Sequence, residues 1–288
     1  MKIMKLLMNL IKIGLIGLLI LLASYHVMTI TQAQENGVNA PIISSNVDEI
    51  KIPCQYKKED LLQDLTAYDE EDGYLTDQIL IGGFSDFTER GVSSLEYAVY
   101  DKDGNIAYFN RDVVFSDYIP PRIKLSEPLV YKTNGTAYET PSFDMKGVDK
   151  LDGDISKHIL ITGNDINLTV PGKYTASVNL KNSFGDEVNL DLPIHILDSS
   201  KYSYNIELNE PLIYVEKGAA LNPATYIAAV RNEYTNEIVP VDEYKLTIDS
   251  DVDTSKEGIY EIQFSVVSTN ESQRGETWMI VVVGDYGG

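Results

Sequence analysis

Apolar and polar residues alternate along most of the chain. Tyr174, Ala176, Val178 and Leu180 fall on one side of an extended backbone, and Val188, Leu190, Leu192, Ile194 and Ile196 do so in the next run, which directs Asn189, Asp191 and His195 to water. Tyr260, Ile262, Phe264 and Val266 alternate in the same way with Glu261, Gln263 and Ser265. A period of two over short runs predicts strands, and one buried face per strand predicts pairs of sheets packed together. Pro193 has no N–H to give a ladder, so its strand is expected at an edge or with that position turned outward. The segments 101–105 (Asp-Lys-Asp-Gly-Asn) and 182–186 (Asn-Ser-Phe-Gly-Asp) read as hairpin turns, because glycine, Asn and Asp tolerate a positive φ. Residues 58–66 suit one short helical turn.

The N-terminus follows a different pattern. Lys2, Lys5 and Lys12 precede Ile13 to Ala23, a run of Ile, Leu, Gly and Ala only. A basic stretch ahead of an apolar one is an export address. Residues 1–36 are therefore expected to form a hydrophobic targeting helix, either cleaved near Thr31-Gln32-Ala33 or kept as a signal anchor, since the run extended to Ile30 is just long enough to span a bilayer. The lysines would stay inside, leaving the remainder extracytoplasmic, on the cell surface or secreted.

The rest of the chain repeats. Asp69 to Leu75 matches Asp149 to Ile155, and in the same register Gln78 to Gly83 matches His158 to Gly163. Glu127 to Tyr131 reappears as Glu210 to Tyr214, and Pro171 to Tyr174 as Glu257 to Tyr260. The third copy has lost the acidic-glycine block, and Asn232 to Ile238 stands in its place. The expected architecture is all-β: three tandem immunoglobulin-like β-sandwich domains, 37–118, 119–199 and 200–288, each closing its own core. Short linkers at Asp117 to Pro121 and Asp198 to Tyr202 suit a semi-rigid string of beads, the geometry of a stalk.

Val252 to Tyr260 resembles the "V-D-T-S-K-P-G-T-Y" signature of the bacterial Ig-like repeats found in Gram-positive surface proteins and some insecticidal crystal proteins. Asp149 to Ile155 is similar to that family's "D-x-x-D-G-D-I" block, and Asp101 to Asn105 to its "D-x-x-G-N" hairpin. The third copy has Glu257 where the family prefers proline, and the first two lack the Asp-Thr-Ser-Lys part. The resemblance implies the sandwich fold and leaves function to the sites.

Charge narrows the partners. Lys and Arg total 23 against 44 Asp and Glu, a net charge of -21 that repels nucleic acid. Cys54, the single cysteine, forms no internal disulfide and reads as a buried or half-buried thiol; His26, His158 and His195 show no local link to it. Asp69, Asp72 and Asp77, with Asp149, Asp152 and Asp154, are the candidate metal ligands, because calcium takes several convergent oxygens; each cluster also suits a solvated turn. No other cofactor is implied, and nucleophile-elbow, phosphate-loop, HExxH and CxxC patterns are absent. Among the 19 tyrosines, Tyr97, Tyr174 and Tyr260 sit at inward positions, and Trp278 is expected to fill the third core. These features point to a non-catalytic exported surface protein whose repeats serve as stalk and as binding modules for protein or glycan. The alternatives are a calcium-stiffened structural rod and an accessory protein of an extracellular hydrolase.

Overall fold

The structure is a computed structural model and describes residues 40–133 and 143–286. The expected targeting segment lies outside these residues. Among the described residues the helical elements are short 3-10 turns, one of them Lys58–Leu62, and none is long and apolar enough to cross a membrane. The fold is all-β.

Strands recur in the same order in each sequence copy. The first holds β1 (Ile42–Ser45), β2 (Glu49–Ile52), β3 (Leu65–Asp69), β4 (Gly73–Tyr74), β5 (Leu80–Phe84), β6 (Val92–Tyr100) and β7 (Ile106–Phe115), in sheets ordered β1-β3-β4 and β2-β7-β6-β5. The second holds β8 (Arg122–Leu125), β9 (Val130–Lys132), β10 (Met145–Asp149), β11 (Gly153–Asp154), β12 (Leu160–Asn164), β13 (Gly172–Lys181) and β14 (Glu187–Leu197), ordered β8-β10-β11 and β9-β14-β13-β12. In the third, β15 (Tyr204–Leu208) pairs with β17 (Ile227–Asn232), and β16 (Leu212–Glu216), β20 (Arg274–Gly284), β19 (Gly258–Ser268) and β18 (Tyr244–Ser250) form the other sheet in that order. The counterpart of β4 and β11 is reduced there to a single bridge, Arg231 with Ile238.

The turns form as the glycines require. Gly104 (φ 87°) and Gly185 (φ 84°) occupy matching positions, and Asp101 Oδ1 and Asn182 Oδ1 each accept the amide four residues on, at 2.8 and 2.9 Å. Pro193 pairs with Thr175 on β13, and β9 joins the far side of β14 only from His195 to Leu197, so the missing N–H falls where that side of the strand has no partner strand.

By contact density the chain divides into two compact units. One contains Lys57–Ser85 and Ser94–Val113 with the described residues up to Ile50; the other contains Lys51–Tyr56, Asp86–Ser93 and Val114 onward. The first buries Ile43, Leu65, Ala67, Leu95, Tyr97, Val99 and Val113. Within the second, Ile206, Val230, Ile262, Phe264, Met279 and Val281 fill the space between the two sheets of the third copy.

The expectation that each copy closes its own core is corrected within this unit. Leu212, Ile280 and Val282, on the opposite face of β16 and β20, belong to one apolar cluster with Ile123, Leu129, Leu192 and Ile194 of the second copy. Both faces of β20 are buried from Met279 to Val283. Removing an aliphatic side chain from water is worth about 1.5–3 kcal/mol. Parting the second and third copies would therefore cost several times the thermal energy, and a bead free to swing on its linker is not what the packing allows.

Candidate functional site

The acidic-glycine block holds its own turn. Asp69 Oδ1 accepts the amides of Glu71 and Asp72, both at 2.9 Å, and Asp149 Oδ1 accepts those of Leu151 and Asp152 at 2.8 and 2.9 Å. The second acid of each block reaches the neighbouring hairpin. Asp72 Oδ2 accepts Lys102 N at 2.7 Å and Oδ1 the Lys102 ammonium at 2.7 Å, while Asp152 takes Ser183 N at 2.6 Å and Ser183 Oγ at 2.7 Å. Asp154 accepts from Ser156 N and Oγ, and Asp77 is exposed in a 3-10 turn. The hydrogen bonds from Lys102 hold the Asp72 carboxyl below its usual range, and those from Ser156 do the same for Asp154.

Five of the six carboxylates thus point to separate amides, hydroxyls and an ammonium, and Asp77 stands exposed. Among the described residues no group of three or more His, Cys, Asp or Glu side chains is placed to hold a metal ion. In the third copy the turn survives with an amide as acceptor: Asn232 Oδ1 takes Tyr234 N at 2.9 Å and Thr235 N at 3.3 Å. Millimolar calcium is accordingly expected to leave the melting temperature of the full chain unchanged. A rise of several degrees with calcium but not with equal ionic strength of sodium would restore the metal reading.

A second constellation lies at the end of the second copy's hairpin. Phe87 stacks on Phe184 with centroids 4.9 Å apart, and Phe115 and Tyr118 meet these rings edge-on. Tyr118 Oη donates to Asp186 Oδ2 at 2.6 Å and accepts from Asn182 Nδ2 at 2.9 Å; burial, then the Asp186 carboxylate, raises its pKa. Beside it Cys54 is buried, and its backbone N–H donates to Asp117 Oδ1 at 2.7 Å. Burial and then Asp117 push the thiol up to about 12, so it stays protonated and unreactive near neutrality. Asp117 accepts from the Lys150 ammonium at 2.8 Å and is held down to about 2. Tyr118 was expected in a linker and is instead 5% exposed.

Two latches join the second and third copies, and both depart from the sequence expectation. His195 does not face water: its ring lies flat on Trp278, centroids 3.8 Å apart and planes 2° from parallel. Trp278 accordingly lies outside the third core, which takes Thr277 and Met279 on either side of it. His195 Nε2 shares a 2.5 Å hydrogen bond with Glu261 Oε1, and the Lys173 ammonium pairs with the other oxygen of that carboxylate. The second latch is Arg122, whose guanidinium lies 4.9 Å from the Tyr214 ring and 4.8 Å from that of Tyr286, while Tyr214 Oη accepts Ile123 N at 2.8 Å. The signal for this junction was present as unbroken apolar runs, Met279 to Val283 and Leu212 to Val215, which fit strands buried on both faces.

Burial alone would raise the Glu261 pKa, but the hydrogen bonds from His195 and Lys173 outweigh it and hold the carboxyl low. A depressed carboxyl contributes stability above its unfolded value, about 4.3, and loses it as pH falls through the lower folded value. The stability that the Glu261 carboxylate contributes is therefore expected to fall away only below about pH 4.3, read as a drop in the urea midpoint of the full chain. In Glu261→Gln that acid step should disappear.

Alongside these latches lies a cleft of about 510 Å³ between the β8–β9 segment of the second copy and the β15 edge of the third. Glu127, Glu207, Glu233 and Glu276 line it together with one cation, Lys132, which pairs with Glu233.

No family model matches the chain. Its sequence is similar to pesticidal crystal protein Cry22Aa of Bacillus thuringiensis, 24% identical over 147 residues, which covers 50% of this chain and 19% of that protein. The match thus spans about a fifth of the relative's length. Solved structures similar to the chain include Drosophila N-cadherin EC1-3 (10% identity, TM-score 0.31, 83% of this chain and 98% of that one). They also include the M60 catalytic domain with the CBM51-1 and CBM51-2 domains of Clostridium perfringens ZmpB (13%, TM-score 0.24, 86% and 31%) and the protocadherin GammaB4 extracellular domain (14%, TM-score 0.21, 86% and 50%). Scores of this size do not bear on function.

Proposed function

We propose that the chain is a non-catalytic, exported scaffold of three immunoglobulin-like repeats, held outside the cytoplasm to present a binding surface at a fixed distance and orientation. The observation that carries this reading is where the chemistry-bearing side chains are engaged. The acidic blocks hold turns, His195 is stacked and hydrogen-bonded at a junction, and the Cys54 thiol is buried and kept protonated. His158 Nδ1 lies 3.3 Å from the Lys181 carbonyl. Side chains fixed in this way support architecture, and the junctions they build resist bending.

Export is tested by producing the full chain with a C-terminal tag in a bacterial host and treating intact cells and medium with protease. Loss of the tag from outside is the expected result. A tag protected until the cells are lysed would overturn the extracytoplasmic reading, and turnover of wall glycan or peptide substrates by the purified full chain would overturn the non-catalytic one.

A further inference from the structure

The cleft beside β15 combines unpaired strand edges with acidic walls. β9 is the last strand of its sheet, β15 is bonded to β17 alone, and β20 gains its partner β16 only from Ile280 onward, so its stretch around Glu276 and Thr277 is also an edge. All three contribute to the lining. Just ahead of β15 the Glu233 N–H donates to Ser203 O at 2.9 Å, and in an antiparallel ladder alternate residues then direct their N–H and C=O away from the partner. The backbone groups of Ile206 accordingly face away from β17. At β9, His195 N–H donates to Leu129 O at 3.0 Å and Thr133 N–H to Leu197 O at 2.9 Å, so the groups of Lys132 turn outward by the same alternation.

An exposed strand edge left open is a template for another strand, and soluble proteins usually blunt it with lysine, proline or a covering loop. Here four glutamates line the cleft: Glu233 is paired with Lys132 and Glu207 with Arg231, while Glu127 and Glu276, the latter accepting from Tyr202 Oη at 3.0 Å, have no ion-pair partner among the described residues. The volume of about 510 Å³ lies within the roughly 300–1,000 Å³ in which ligands are held. We infer that this cleft binds an extended, Lys- or Arg-bearing polypeptide segment as an added strand, its backbone bonding the free edges and its cations meeting Glu127 and Glu276. This rests on the reading of the chain as a binding scaffold, and it names the class of partner.

The test uses the full chain and three fluorescein-labelled hexapeptides: alternating Lys-Val, alternating Glu-Val, and Lys-Val N-methylated at every second residue. Fluorescence anisotropy is expected to show the Lys-Val peptide bound at least tenfold more tightly than either of the others. In the double variant Glu127→Lys, Asn205→Lys, which changes two exposed positions, Lys-Val binding should fall at least tenfold with the melting temperature unchanged. Equal binding of the N-methylated peptide would overturn strand addition, and equal binding of Glu-Val, or no binding of Lys-Val, would overturn the basic-peptide class. Displacement of Lys-Val by a neutral wall oligosaccharide would assign the cleft to glycan instead. None of these outcomes alters the protease-accessibility or substrate-turnover results, so the scaffold reading stands or falls separately.

Discussion

Replacing Asp149 with alanine is expected to lower the unfolding free energy by about 3 kcal/mol, and replacing it with asparagine by clearly less. Asp149 is 8% exposed, and it accepts three hydrogen bonds: Leu151 N and Asp152 N on Oδ1, and Asn182 Nδ2 on Oδ2 at 3.1 Å. Hydrogen bonds to a charged acceptor are worth roughly 1.5–3 kcal/mol each and are not additive, and alanine leaves all three donors stranded. Asparagine keeps the Oδ1 acceptor, as Asn232 does in the third copy, but sets its own NH2 against that of Asn182. Asp69 Oδ1 accepts the matching amides of Glu71 and Asp72, so Asp69→Ala is expected to destabilise the first copy in the same direction. Urea denaturation of the full chain followed by circular dichroism measures these differences. Equal losses for Asp149→Ala and Asp149→Asn would show that the turn does not depend on that oxygen.

The strands, hairpins and acidic turns were legible because each is a local consequence of residue order. Alternation in Tyr174 to Leu180 fixes which side faces inward, and a glycine at position 104 or 185 fixes where the chain reverses. What local order does not contain is the partner of an outward face. His195 and Trp278 each occupy an outward position on their strands, and the pattern assigned one to water and the other to the core. Their stacking depends on two strands far apart in sequence meeting side to side. The unbroken run Met279 to Val283 did carry that information, because a strand with one wet face has no reason to be apolar at every position. The acidic blocks show the opposite limit. Composition alone makes Asp69, Asp72, Asp149 and Asp152 fit either calcium or backbone amides, and only the directions of their oxygens distinguish the two. The same holds for the cleft, whose lining comes from strands in two copies.

Arg111 presents the sharpest local conflict between sequence pattern and burial, and its replacement by alanine is expected to cost about 3–5 kcal/mol through the cavity and the lost hydrogen bonds. It stands on β7 at the same offset from the Asp101–Asn105 turn as Leu192 has from Asn182–Asp186, and Leu192 and Met279 hold matching rungs opposite Ala176 and Ile262. Those two are apolar and buried, and Arg111 is equally buried at 2% exposure. Its two terminal nitrogens donate to neutral groups, Nη1 to Gln63 O at 2.7 Å and Ser45 Oγ at 3.2 Å and Nη2 to Leu61 O at 2.9 Å and Tyr97 Oη at 3.1 Å, while Nε is buried without a partner. The fork therefore ties the 3-10 turn after β2 to β6 and β7, and alanine would leave both a cavity and the Gln63 carbonyl without its donor. Methionine, the residue at the matching rung of the third copy, fills the volume and removes the buried charge, while Leu61 O keeps the Tyr97 hydroxyl at 2.6 Å. Arg111→Met is expected to cost about 1–2 kcal/mol, because an apolar replacement recovers the desolvation that a buried cation forfeits. Chemical denaturation, with hydrogen exchange at Leu61 to Leu65 as the local readout, distinguishes the two variants. If methionine is as damaging as alanine, the four hydrogen bonds and not the packing hold this turn in place.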